Sequence, residues 1–489
     1  YHLLETVREY AAEKLELAGE AEATGDRHLA WALGEAEAGF EGLAGPDPGS
    51  WMARLNAEHD NLRAALDRAV ATDPGAGLRL AGALWRFWFM SGAFGEGREH
   101  LGQLLATTPG EGQTPARAQA LLGAGALAYG QGDYAAARKR YVECLEARRA
   151  LGDARGIAAV LNNLAVVSRD EGDFAAARSW FAESLEAFRA LRERRSEADV
   201  LFNLGVIAID LGDLAMAEES LHQAQAIRER LVHDVGSAAC RLNLGFIAHL
   251  RGSFEDAAEG FRLAEEAYAT AGIRTELPLV YRFQAANARL SGRFDEARQR
   301  AEAALLLCRE IGDRRGESLG LYELGRIALD EGDAIEAERL LRASVQEQTA
   351  LGHQKDRDAA LQWLGRVALQ RGDVAEAQRH LEECLRLRCA MGARASYAEA
   401  IEGLGGLCAM QGEQALAVEL ASAAEAARAV LGLALPARER ADMDAWLASA
   451  RAALGDEIFD ARRSKGLARP MDDLVAELVS RIETTVSRS

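Results

Sequence analysis

Between about Thr114 and Leu433 the apolar positions follow a helical spacing that stops and restarts at a fixed interval. Leu161, Leu164, Ala165 and Val167 with Ser168 lie on one stripe, and Phe174, Ala177, Phe181, Leu185 with Ser184, and Phe188 lie on the next. Gly132, Gly172, Gly212, Gly252, Gly292, Gly332, Gly372 and Gly412 recur every 40 residues. A second turn marker recurs with the same period at Leu151-Gly152, Leu191-Arg192, Leu231-Val232, Ala271-Gly272, Ile311-Gly312, Leu351-Gly352, Met391-Gly392 and Leu431-Gly432. Two breaks per period leave two segments of about 18 residues, each long enough for a five-turn helix. Glycine closes a helix in the left-handed conformation, and an aspartate after it, as in Gly172-Asp173 and Gly212-Asp213, caps the next one.

The small residues predict how these helices meet. One position reads Gly125, Ala165, Gly205, Gly245, Ala285, Gly325, Gly365, Gly405. Twelve residues later every unit has alanine, from Ala137 to Ala417, and seven further on stand Cys144, Ser184, Ala224, Ala264, Ala304, Ser344, Cys384 and Ala424. Small side chains at fixed positions allow close approach within a hairpin and between hairpins.

A chain of 489 residues exceeds what one core organises, and a repeat stack resolves that. Alanine, leucine, glutamate and arginine dominate, and prolines number only 8, so an all-α architecture is expected. The net charge of −19 repels phosphate backbones and anionic lipid, which argues against a nucleic-acid-binding domain or a membrane-surface role. No apolar run spans a bilayer and no leader opens the chain. Cys144, Cys240, Cys308, Cys384, Cys389 and Cys408 are scattered and read as small buried side chains of a reducing, cytoplasmic setting.

Asn203-Leu204-Gly205 followed by Ala217, Leu221 and Ala224 resembles the tetratricopeptide consensus. The resemblance implies a right-handed α-solenoid of helix hairpins with a 40-residue unit, six residues longer than usual. Eight repeats are expected over 114–433, with a degenerate unit marked by Gly92 before them. The flanks do not obey the repeat. Helices are expected around 4–18, 24–44, 51–72 and 76–91, with a break at Gly45-Pro46-Asp47-Pro48, and around 436–454, 456–464 and 470–485. Three flanking segments, Tyr1–Ala11, Leu55–Leu66 and Leu454–Phe459 with Pro470–Leu474, resemble bacterial STAND regulators (signal-transduction ATPases with numerous domains). On that resemblance residues 1–20 are the end of a winged-helix domain or a linker helix, 21–113 an N-terminal helical cap and 434–489 a C-terminal cap. It also implies an ATPase and a DNA-binding domain upstream, so that the chain is the sensor of a transcriptional regulator or defence-type receptor, with room for oligomerisation on activation. A chain starting at Tyr1 rather than Met is expected to be part of something longer. The alternative is a stand-alone scaffold or adaptor for a protein partner.

Catalytic constellations are absent. No phosphate loop, HExxH, GxSxG or strand-borne GxGxxG occurs, and the nine histidines form no ligand pair. No catalytic, cofactor or metal residue is therefore assigned, and an enzyme is not expected. What remains is the groove, which the resemblance assigns to the first helix of each pair. Asn163, Asn203 and Asn243 form a ladder there. Asparagine at the matching position grips the backbone of an extended peptide in peptide-binding members, or else bridges neighbouring repeats. Arg282, Arg289, Arg326 and Arg366 are expected inward, with Tyr322 and Gln362 among them and Phe246 and His249 on the preceding repeat. They either anchor an acidic group on a peptide, protein or small-molecule inducer, or pair with acids such as Glu323 and Asp330. Trp363 reads as packing.

Overall fold

The computed structural model describes residues 5–45, 47–107, 114–231 and 234–486. Among them there is no strand, and the chain is an α-solenoid of consecutive helix pairs. It divides into two compact units, Tyr1–Val167 and Ser168–Ser489.

The first unit holds α1 (Glu5–Ala18), α2 (Ala21–Gly42), α3 (Pro48–Ala57), α4 (His59–Thr72), α5 (Pro74–Ser91), α6 (Phe94–Thr107), α7 (Pro115–Gly130), α8 (Tyr134–Ala150) and α9 (Ala154–Asp170), whose last residues enter the second unit. Of the opening segment, Tyr1–Leu4 lie outside the described residues, as does Pro46 in the expected break. The stretch expected as one helix over 51–72 is two. The chain breaks at Glu58 (φ −99°, ψ 9°), which closes α3 and opens α4. No glycine or proline announces that break. Tertiary packing imposes it, with Leu55 on α3 seated against Gly39 while Leu62, Leu66 and Ala69 of α4 are buried along α2 and α5. Helix α5 starts at Pro74 rather than 76, because the Asp73 carboxylate accepts from the Ala76 N–H at 2.9 Å and Pro74 has no N–H to satisfy.

The second unit continues with α10 (Phe174–Leu191), α11 (Arg194–Leu211), α12 (Leu214–Arg230), α13 (Asp234–Leu250), α14 (Phe254–Thr270), α15 (Leu277–Leu290), α16 (Phe294–Ile311), α17 (Arg314–Glu331), α18 (Ala334–Leu351), α19 (Gln354–Arg371), α20 (Val374–Met391), α21 (Tyr397–Met410) and α22 (Gln414–Leu431). Helices α23 (Ala437–Leu454), α24 (Asp456–Leu467) and α25 (Met471–Val486) follow. Helix α24 runs three residues past the expected 464. Leu474, Val475, Leu478 and Ile482 of α25 join Leu381, Tyr397, Leu404 and Leu420 in one apolar cluster, which covers the end of the stack.

The turn chemistry operates in both units. The glycines of the first marker series hold φ between 74° and 92°. Asp133, Asp173, Asp213, Asp333 and Asp373 each accept the N–H three residues on at 3.0–3.1 Å. Arg192 occupies a second-series glycine position and has φ 58°, alone among the described non-glycine residues in being positive. Every alanine from Ala137 to Ala417 in the invariant series is fully buried. A Cβ on Gly205 would fall 2.7 Å from Leu221 Cγ and 3.2 Å from the Ala217 carbonyl oxygen, so α11 and α12 touch there backbone to side chain. Ser344 Oγ donates to the Ser318 carbonyl at 2.7 Å, so the third small position ties the second helix of a pair to the first.

The second unit bends until its two ends meet. Lys355 Nζ reaches Asp210 Oδ1 at 2.6 Å, and the Ala434 N–H donates to the Leu250 carbonyl at 2.9 Å. A Cβ on Gly212 would meet Leu431 at 3.1 Å and the Ala395 backbone at 3.5 Å.

Two stability outcomes follow from this packing. Ala217→Leu overfills the α11–α12 contact and costs about 1–3 kcal/mol, seen as a lower denaturation midpoint; an unchanged midpoint contradicts the assigned contact. Arg192→Gly relieves a left-handed side-chain-bearing residue on an exposed turn and stabilises by about 1 kcal/mol in the same assay.

Candidate functional site

The first helices of successive pairs in the second unit, α11, α13, α15, α17, α19 and α21, line a partly open chamber of about 670 Å³. The segment Leu433–Ala437 between α22 and α23 closes one side of it. Six of the residues expected in the groove line this single space: Phe246, His249, Arg282, Arg289, Tyr322 and Arg326. Gln362 and Arg366 line an adjoining cavity of about 460 Å³ between α19, α21 and α23. Asn203 and Asn243 line neither, and Asn163 belongs to the first unit.

The asparagines are placed differently from the arginines. Asn243 Nδ2 donates to the Ala239 carbonyl of its own helix at 3.0 Å, and Asn203 is not free either. Asn163 is half-buried on α9. Gln362 is fully engaged: its Nε2 donates to the Glu399 carbonyl at 2.8 Å and its Oε1 accepts from Cys384 Sγ at 3.4 Å.

The apolar wall is aromatic. Phe246 stacks on Phe283 with ring centres 4.5 Å apart and 7° between planes, and on His249 at 5.9 Å. His249 is 8% exposed. Asn287 fixes its tautomer. The Asn287 amide nitrogen donates to the Phe254 carbonyl at 2.9 Å, so its oxygen faces His249 Nδ1 at 3.0 Å and Nδ1 carries the hydrogen. Burial first, and then the guanidiniums of Arg326 and Arg289 against the opposing pull of the Asn287 bond, push the imidazole down to about 4.

Charge is concentrated around Trp363. Its buried ring has Arg289, Arg326 and Arg366 guanidinium carbons at 5.1, 4.8 and 4.7 Å, and Arg326 also lies 5.2 Å from the Tyr322 ring. Burial pushes the Tyr322 hydroxyl well above its ordinary range. Acids answer these cations. Arg289 Nη1 binds Asp330 Oδ2 at 2.6 Å, Arg326 Nη1 lies 3.2 Å from both Glu323 oxygens, and Arg366 Nη1 lies 3.2 Å from Glu439 of α23. Burial raises Glu399, but Arg388, Arg326, Arg366 and Arg428 outweigh it and hold the carboxyl below its usual range.

The pairing is incomplete. Arg289 is 3% exposed, and its Nε and Nη2 have no acceptor. Arg326 Nε is likewise sealed without one. Arg282 makes no hydrogen bond and no ion pair among the described residues, and burial lowers its pKa from the ordinary value. Nothing in the local sequence marks Lys355, Asp210, Glu439 or the Leu433–Ala437 segment as parts of this chamber. Pro436 marked a helix start, but nothing local marks what that start packs on.

Tetratricopeptide-repeat family models match residues 116–190, 156–230, 319–343 and 351–383, so the chain carries tetratricopeptide repeats. No curated protein matches it. Among solved structures it is similar to BtubC from P. vanneervenii, with 22% identity over 45% of this chain and 92% of that one and a TM-score of 0.39. It is also similar to a Rap protein complexed with Competence and Sporulation Factor, with 13% identity, 73% and 99% coverage and a TM-score of 0.49. The apo quorum sensor NprR from B. thuringiensis gives 13% identity, 75% and 99% coverage and a TM-score of 0.49.

The buried histidine sets a pH dependence. Its folded pKa of about 4 lies below the ordinary 6.5, so the unfolded chain takes up the proton first. The stabilisation is complete above pH 6.5 and is lost as the pH falls towards 4, an effect of about 3 kcal/mol at most. Denaturation midpoints measured at pH 7.5 and 4.5 should differ less in His249→Gln than in the wild type.

Proposed function

We propose that this chain is the sensing part of a larger bacterial signalling ATPase that regulates transcription, and that it binds its inducer in the chamber of the second unit. The observation that carries the reading is the chamber itself, a concave space with an aromatic wall and buried guanidinium donors left without acceptors. Ligand sites combine an apolar lining with a few convergent polar groups in this way. The resemblance of both flanking regions to STAND regulators supplies the wider context. Any ATP chemistry belongs to a domain outside this chain, and no residue here is assigned to nucleotide.

Signalling requires that the inducer bind one state of the protein better than another. The chamber offers such a difference, because it exists only while the ends of the second unit touch at Asp210–Lys355 and Leu250–Ala434. A ligand held inside favours the closed ring over any opened form. The contact of Arg366 with Glu439 extends that dependence to α23, the first helix of the C-terminal cap.

The test is the mass and sequence of the intact natural polypeptide that contains this chain. A phosphate loop and a winged helix upstream are expected. A natural protein that begins within a few residues of Tyr1 would falsify the signalling context and leave a scaffold that holds a partner without switching.

A further inference from the structure

The strongest unexplained feature of the chamber is Arg282. A guanidinium stays charged at any physiological pH, and enclosing one without a partner is costly. The two carboxylates whose fields act on it, Glu323 and Asp356, are already bound elsewhere, Glu323 to Arg326 and Asp356 to Arg315 Nε at 2.7 Å. Its Nε is sealed off without an acceptor, and the side chain as a whole retains partial access to the chamber it lines. Arg289 and Arg326 line the same space, each with donors that no protein acceptor fills. The lining has seven basic and six acidic residues, whereas the whole chain has 57 Lys and Arg against 76 Asp and Glu. A positive excess has therefore been assembled inside a strongly acidic protein.

We propose that the chamber holds a small organic oxyanion, a carboxylate or a phosphate monoester, whose charged end is taken by Arg282 in the field of Arg289 and Arg326 and whose apolar body lies along the Phe246–Phe283 wall. This rests on the sensing reading and gives its inducer a chemical class. Low local dielectric strengthens a charge-assisted hydrogen bond there, and a planar guanidinium matches either oxyanion bidentately. Volume sets the size. A space of about 670 Å³ bordered by the Lys355–Asp210 and Ala434–Leu250 contacts matches a compact molecule.

Arg282→Met and Arg282→Lys separate a ligand contact from a structural one. The probes are benzoate and phenyl phosphate, with benzamide as the neutral counterpart, added to the purified chain and followed by thermal melting and calorimetry. In the wild type at least one anion should raise the melting temperature saturably, and benzamide should not. Benzoate alone points to a carboxylate ligand and phenyl phosphate alone to a phosphate. Arg282→Met should melt about 2 °C higher than the wild type without ligand, because it removes an unpaired, half-buried charge, and should bind the anion at least about tenfold more weakly. Arg282→Lys should keep the preference for anion over benzamide at reduced affinity. The proposal is overturned if neither anion stabilises the wild type, if benzamide does so equally, or if Arg282→Met binds the anion undiminished or melts lower than the wild type. Binding of benzamide alone removes the anion and leaves the sensing reading to the intact polypeptide.

Discussion

Everything in this protein depends on how closely the two helices of a pair approach. At Gly205 the facing helix leaves no room for a Cβ, and the alanine twelve residues on is fully buried in every unit. Such a contact gains little from any one side chain. Its value is that it fixes the separation of the helices, because there is no flexible group to repack. When the same separation recurs every 40 residues, each pair stacks on the last in a similar way. The curvature of the second unit accumulates from pair to pair, and it brings Asp210 to Lys355 and Leu250 to Ala434.

Closure changes the electrostatics of the inner surface. On an open groove the arginines of α15, α17 and α19 would be hydrated, and their pairs with Asp330, Glu323 and Glu439 would contribute little. Inside a ring they lose water and must find acceptors. Most do: Arg388 alone satisfies Asp358 at 2.6 Å, Glu399 at 3.0 Å and the Ser396 carbonyl at 2.6 Å. Arg68, Arg148, Arg228 and Arg357 each keep one buried Nε without an acceptor elsewhere, whereas Arg282, Arg289 and Arg326 bring their open donors together around one space. A neutral His249 in the same wall adds no further cation, since burial first, and then the surrounding guanidiniums, oppose its protonation.

Local features were legible in the sequence because each is written where it acts. The glycine and aspartate markers gave the turns and caps, the small-residue series gave the packing, and the inward positions gave Phe246, His249, Arg282, Arg289, Tyr322 and Arg326 as neighbours. The asparagine ladder shows the limit of that logic. Equal spacing puts Asn203 and Asn243 at equivalent positions, but equivalence does not decide what an amide bonds to, and Asn243 bonds its own helix. The break at Glu58 was invisible because it arises from packing against Gly39 and not from a helix-breaking residue.

The enclosure lay furthest from the sequence. Lys355 and Asp210 are 145 residues apart, and no period relates them. A repeat predicts the contact of each unit with the next, whereas closure is a contact between units several repeats apart, decided by accumulated curvature. The same reasoning explains why α23 breaks the repeat at Leu433–Pro436. Another standard hairpin would have to extend the stack past its own beginning. Instead the chain turns at Pro436, sets Glu439 against Arg366, and lets α25 cover the exposed apolar end through Leu474 and Leu478. The C-terminal cap therefore does more than stop the stack: it supplies an acid to the arginine cluster and a wall to the chamber, which ties its position to whatever the chamber contains.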